Sequence, residues 1–168
     1  MAESLSSFLS PYMSPPLVVF LISLLPILEL RGGMVAAALL GLPWGQALLL
    51  SLLGNMLPVP FIILFIRRIL ALMRRGGPLR PLALWLENKG AAGGVRLQNR
   101  YPRRLWLGLF LFVAVPLPGT GAWTGALIAA LLGLDGRKST PAICLGVLGA
   151  GGVMLFLTYV LPAIARAF

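Results

Sequence analysis

Glu29 and Arg31 are the only charged side chains between Leu17 and Ile66, in the run Leu25-Pro26-Ile27-Leu28-Glu29-Leu30-Arg31-Gly32-Gly33. An ionisable group at bilayer depth costs about 2.5 to 3.5 kcal/mol on insertion scales, so it persists where it pairs or carries a function. Glu29 is therefore the first candidate for chemistry, as a carboxyl that loads and releases a proton. Pro26 before it and Gly32-Gly33 after it break a helix, and broken helices at membrane depth line cavities. Side chains two apart on an intact helix point to different sides, whereas an unwound tip can pair them. The plainer reading is one tilted span with a structural ion pair.

A second polar constellation, Pro116-Leu117-Pro118-Gly119-Thr120-Gly121, is followed by Trp123 and Thr124 and holds no formal charge. The free N–H groups of a helix that starts there carry partial positive charge and suit an anion or a dipole. Thr120, Trp123 and Thr124 are candidates to line a substrate path. Each has a structural alternative, since threonine in a membrane helix bonds its own backbone and an aromatic after a glycine turn packs. Asn55, with Ser51 and Gly54 on neighbouring turns, is a further candidate, read first as a helix-to-helix hydrogen bond.

Other chemistries are excluded by composition. The absence of histidine removes Ser-His and Cys-His pairs, histidine metal sites and histidine relays, and the single cysteine, Cys144, allows no internal disulfide. No catalytic residues, metal ligands or cofactor are expected, and the chain reads as a non-enzyme. Charged residues make up 11% of the 168, against roughly 25% in a soluble domain, so much of the surface must face lipid. Ten of the 14 Lys and Arg residues lie between Arg67 and Arg104, the pattern of a cytoplasmic loop near anionic headgroups rather than of a nucleic-acid site. The first sixteen residues contain Glu3 but no Lys or Arg, so they lack the basic start of a cleavable signal and are expected to be retained.

Met1 to Ser14, with Phe8, Leu9, Tyr12 and Met13, reads as an interfacial helix or a frayed tail. Ser14-Pro15-Pro16 is a helix start. Leu17 to Leu25 is nine residues, about 13 Å of helix and under half of a ~30 Å hydrocarbon core. Met34 to Leu42 is a second such piece. The pair reads as a re-entrant hairpin, or as one kinked helix of 26 residues. Trp44, an aromatic placed as an interface anchor, opens Trp44 to Ile66, long enough for a full crossing. In the basic segment Leu79 to Lys89 reads as a short interfacial helix, Ala91 to Gly94 as flexible, and Arg96, Arg100, Arg103 and Arg104 as the return to the membrane. Leu105 to Val115 and Ala122 to Leu134 flank the second break. Ser139-Thr140-Pro141 reads as the start of a last span to about Ala165, in which Gly149-Ala150-Gly151-Gly152 offers a flat face.

Displacing the chain by 92 residues sets Pro26 on Pro118, Gly33 on Gly125, Ala38–Leu42 on Ala130–Leu134 and Gly54 on Gly146. This predicts an internal repeat of hairpin plus span: repeat 1 about 15–66, a basic loop 67–104, and repeat 2 about 105–166. If each hairpin is re-entrant, each copy crosses once and the copies are inverted; if both are full spans, the chain is a four-helix bundle of parallel repeats. Loop charges lean toward hairpins by one residue. The expected fold is an all-α integral membrane protein, an inverted repeat of re-entrant hairpin plus transmembrane helix, with a basic cytoplasmic loop carrying a short interfacial helix.

Pro26–Gly33 and Pro116–Gly125 resemble the two signatures of the bacterial small multi-drug export protein family, a resemblance running from about Leu17 to Tyr159. That family is distinct from the four-helix small multidrug resistance pumps and is similar to the DedA and VTT superfamily. The resemblance implies two opposed re-entrant loops in an inverted repeat. It also implies roles of the kind found in that superfamily: drug sensitivity, polyprenyl-phosphate recycling and phospholipid scrambling. Glu29 matches the acidic residue of the first loop and Pro118-Gly119 the proline-glycine of the second. Where DedA-type second loops hold arginines, this chain has Thr120, Trp123 and Thr124, which disfavours a phosphate lipid unless Arg31 compensates.

The expected function is proton- or ion-coupled export of small amphipathic or cationic compounds through a site formed by the two hairpin tips. Glu29 and Arg31 carry the charge there; Pro26, Gly32, Gly33, Pro116, Pro118, Gly119, Thr120 and Gly121 shape the tips; and Asn55, Trp123 and Thr124 line the path. The alternative is a lipid flippase or scramblase, or a polyprenyl-phosphate or phospholipid transporter. The expected partners are membrane lipids, a small-molecule or lipid substrate and a second copy of the chain, and the expected location is the bacterial inner membrane, multi-pass.

Overall fold

The computed structural model describes residues 3–4, 7, 13–75, 78–101, 104–117 and 119–167. Phe8, Leu9, Tyr12, Arg103 and Pro118 lie outside the described residues. Among the described residues every regular element is helical: α1 Pro15–Leu24, α2 Glu29–Leu39, α3 Trp44–Met56, α4 Pro58–Arg74, α5 Arg80–Arg100, α6 Leu105–Ala114, α7 Ala122–Leu131, α8 Gly136–Leu155, a π-helical turn Phe156–Val160, and α9 Leu161–Ala167. Two continuous apolar stretches, Trp44–Arg74 and Gly136–Arg166, are long enough to cross a membrane. Only 33% of the most apolar window of each is buried. Leu49, Leu53, Phe61, Leu64, Leu145, Leu148 and Phe156 are exposed on them, an apolar surface that water would not tolerate and lipid would cover. By contrast α1, α2, α6 and α7 have 10 or 11 residues each, about 15 Å of helix.

Two compact units emerge, residues 1–57 with 147–168, and residues 58–146. In the first, α1, α2 and α3 pack on one another. Ser14 and Pro15-Pro16 start α1 as expected, although the serine hydroxyl makes no cap bond. Val18 and Ile22 of α1 meet Ala36 of α2, with Met13, Leu28 and Leu40 around them. The C-terminal part of the second long helix belongs to this unit. A Cβ at Gly151 would stand 3.0 Å from Leu48 and 3.3 Å from Leu52, so the small-residue stretch provides a close approach. Tyr159, in the π-helical turn, donates its hydroxyl to the Leu42 carbonyl at 3.0 Å.

In the second unit α7 packs against α4 and α5. The expected short interfacial helix is instead the 21-residue α5, and Ala91–Gly94 is helical rather than flexible. Packing explains the difference. A Cβ at Gly90 would meet Leu131 at 2.5 Å, at Gly93 Ile128 at 2.5 Å, and at Gly94 Leu132 at 3.0 Å, so the glycines form a smooth seam on which α7 lies. Arg67 donates to the Leu131 carbonyl at 3.2 Å, satisfying an open acceptor at the end of α7. Asp135 starts α8 one turn earlier than Ser139 would, its carboxylate accepting from the Arg137 N–H at 3.0 Å; Pro141 consequently lies inside the helix.

The two units share one backbone turn pattern. Leu40, Gly41 and Leu42 donate to Ala36, Ala38 and Ala37, and Leu132, Gly133 and Leu134 donate to Ile128, Ala130 and Ala129 in the same pattern. Gly41 and Gly133 close these turns at φ 70° and 67°, a left-handed stop that glycine adopts without a Cβ penalty. Before the tips the displacement is not 92 but 90, since α1 Pro15–Leu24 answers α6 Leu105–Ala114. Pro26, two residues after α1, thus stands where Pro116 stands after α6, rather than Pro118.

Candidate functional site

Glu29 begins α2 directly after the turn 26–28 that reverses the chain. Its N–H donates to Leu25 at 2.9 Å and the Gly32 N–H to Leu28 at 2.8 Å, so the turn leads straight into the helix. Gly32 and Gly33 therefore lie inside α2 rather than breaking it. Tertiary contact outweighs their low helix propensity, about 1 kcal/mol each relative to alanine. The break is confined to residues 25–28. Glu29 has φ 51°, alone among the described non-glycine residues in a left-handed conformation. A side chain there costs roughly 1 to 2 kcal/mol. The residue is also 7% exposed. As the first residue of α2 it stands at the positive end of the helix dipole, which favours negative charge. Arg31, half-buried, is within electrostatic reach of its carboxylate.

One turn after Glu29, Gly33 brings its backbone against two serines. A Cβ there would lie 1.8 Å from Ser23 Oγ and 2.8 Å from Ser51 Oγ, so the two hydroxyls converge on a single glycine from α1 and α3. Gly54 completes the contact, since a Cβ on it would strike the Phe20 carbonyl oxygen at 2.5 Å. Ser23 donates to the Val19 carbonyl at 2.8 Å. Ser51 Oγ and Asn55 Oδ1 are fully buried and have no hydrogen-bond partner among the described residues. Each such group costs about 1 to 3 kcal/mol.

Register relates these groups. A short turn joins α2 to α3, which makes them antiparallel neighbours. Opposing Gly33 to Ser51 then sets Glu29, one turn back, level with Asn55, one turn on. Ser23 and Ser51 meet at Gly33, and Glu29 and Asn55, both buried, lie one turn from that contact along α2 and α3. What such groups offer a solute is hydrogen-bond acceptors and a carboxylate in an otherwise apolar packing, chemistry suited to a proton or a cationic group.

The second tip is different. Gly119 has φ 81° and Gly121 is extended, while Pro116 and Thr120 are half-buried. The Thr120 hydroxyl donates to the Val115 carbonyl at 2.7 Å, with the Leu117 carbonyl at 2.9 Å, and accepts from the Leu117 N–H at 3.2 Å. It holds the loop shut rather than waiting for a ligand. Trp123 is half-buried and Thr124 buried on α7. Pro26 is exposed in its turn. Sequence reasoning did not single out Ser23, whose signal was slight: one hydroxyl in the otherwise apolar Leu17–Leu25. Among the described residues no cluster of three acidic, cysteine or histidine side chains could hold a metal ion.

Short apolar hairpins packed on helices of membrane-spanning length, with charge buried at a helix start, define an all-helical membrane protein. The family model described as "Putative small multi-drug export protein" matches residues 29–153. The chain belongs to that family, whose description is of a membrane transporter. Its match begins at Glu29, directly after the first turn, and takes in the second tip. No curated protein and no solved structure matches the chain.

Proposed function

We propose that the protein exports small amphipathic or cationic compounds across the bacterial inner membrane, coupled to a proton or another ion, with Glu29 as the group that carries the charge. In this reading both hairpins are re-entrant, the copies are inverted as in the DedA and VTT superfamily, and the basic segment 67–104 is cytoplasmic. The chain acts as a homodimer among membrane lipids, without cofactor or chemical conversion of its substrate. The observation that carries the reading is Glu29 itself: buried, and in a backbone conformation costly for any side chain. Strain retained at a buried ionisable residue points to use.

The test is gradient-driven transport of ethidium in proteoliposomes. Glu29→Gln is expected to lower the rate at least about tenfold, on the scale of losing a charge-dependent step, while the protein stays monodisperse and helical. Unchanged gradient-driven transport in that variant would end the reading. Movement of lipid headgroups with no need of a gradient would favour the flippase alternative, which draws on the arginine-lined trough described next.

A further inference from the structure

Within the second unit, α5, α6 and the second tip enclose a trough of about 450 Å³, inside the usual range for a small-molecule site. Arg96 and Arg100, one turn apart on the same face of α5, stand at it with Tyr101. Leu97, Leu111, Phe112 and Val115 supply apolar wall, and Thr120 closes the far side. No acidic side chain lines it, and neither arginine forms an ion pair among the described residues. The Tyr101 ring lies close against Gly108, where a Cβ would approach it to 2.6 Å. Since the Thr120 hydroxyl is committed to the loop, little hydrogen-bonding capacity remains at that side.

We propose that this trough binds an anionic phospholipid of the surrounding bilayer, its phosphate between Arg96 and Arg100 and its acyl chain along Leu97, Phe112 and Val115. Two guanidiniums with no carboxylate opposite them recognise an acidic head, and their planar forks match phosphate oxygens. A free anion would leave the apolar wall wet, and a neutral lipid would leave both charges unmatched. The apolar wall continues outward through the exposed Val115 and Leu117, so a chain can enter sideways from lipid. Sequence reading of the second tip alone missed these cations, because they come from α5 rather than from the tip. The site is independent of the export reading and stands or falls without it.

The full-length protein in neutral detergent is titrated with dioctanoyl phosphatidylglycerol, dioctanoyl phosphatidylcholine or inorganic phosphate, with binding read by native mass spectrometry. The phosphatidylglycerol complex is expected to be favoured over phosphatidylcholine by about 30-fold, the size two arginines give at an acidic headgroup. R96Q/R100Q is expected to remove that preference while phosphatidylcholine still binds weakly, which shows the trough intact. Val115→Trp, at an exposed wall position, is expected to weaken both lipids, and R75Q/R80Q, outside the lining, neither. Equal binding of the two lipids, equal loss in R75Q/R80Q, an unchanged preference in R96Q/R100Q, unchanged lipid binding in Val115→Trp, or displacement of phosphatidylglycerol by equimolar inorganic phosphate would each overturn the proposal.

Discussion

The two hairpins share a scaffold and differ in what fills it. In both, a glycine of the second hairpin helix faces two neighbours: Gly33 lies tightly against Ser23 and Ser51, and Gly125 tightly against Val113 and in ordinary contact range of Ile143. In both, a glycine of the following long helix sits on a carbonyl of the first hairpin helix: Gly54 on Phe20, Gly146 on Phe110. Ser23 thus corresponds to Val113, and Ser51 to Ile143. By displacement of 92, Glu29 corresponds to Gly121, Arg31 to Trp123 and Asn55 to Val147. At the places of Ser23, Ser51 and Asn55 the apolar copy is built without a polar group, whereas the left-handed Glu29 has no conformational counterpart in the extended Gly121. The polar side chains of the first hairpin are therefore an addition to the fold, carried at a cost, and that is the physical ground for assigning function to them.

The largest expected effect separates the two contacts at their tightest points. Gly33→Ala places a methyl on Ser23 Oγ, which is tied to the Val19 carbonyl, and should destabilise by about 3 kcal/mol, the upper range for overpacking. Gly125→Ala meets Val113 Cγ2 at 2.7 Å, and a valine methyl can shift slightly; about 1 kcal/mol is expected. Thermal unfolding of the two variants in the same detergent checks the ordering. Equal losses would mean that the polar packing is no tighter than the apolar one.

The shared scaffold was largely legible in the sequence, and its contents were not. Glycine stops at Gly41 and Gly133 announce themselves because a left-handed turn after an apolar run wants a residue without a Cβ. A single displacement of 92 nevertheless misplaced Pro26, since the second tip is longer and the helix before it runs at 90. Gly32-Gly33 and Ala91–Gly94 read as breaks because propensity is local, whereas both pack inside helices where a neighbour requires a flat surface. Asn55 and Glu29 were visible as polar groups in an apolar run. That the Asn55 carbonyl oxygen lacks a partner among the described residues, and Glu29 a relaxed backbone, is a property of three-dimensional placement, which no spacing along the chain encodes.

A smaller effect, opposite in sign, comes from making the first hairpin resemble the second. Ser51→Ala with Asn55→Val removes two buried, unpaired polar atoms and should stabilise by about 2 kcal/mol, raising the unfolding midpoint by several degrees. Gradient-driven transport should fall in the same protein. A midpoint below that of the parent would show that these atoms are satisfied in the membrane and carry no stored cost.

The smallest expected change in stability belongs to Glu29→Gly, and it divides conformation from charge. Glycine adopts φ 51° freely, so the roughly 1 to 2 kcal/mol of backbone strain is relieved. The greater freedom of the unfolded chain returns about 0.5 to 1 kcal/mol of that, leaving a net gain near 0.5 kcal/mol. Glu29→Gln keeps the strain and the side-chain shape but discards the charge. If the carboxylate does the coupling, both variants fail in gradient-driven transport while Glu29→Gly unfolds at the slightly higher temperature. If the strained turn itself is what matters, Glu29→Gln transports normally and Glu29→Gly alone fails, because only the glycine lets the tip relax.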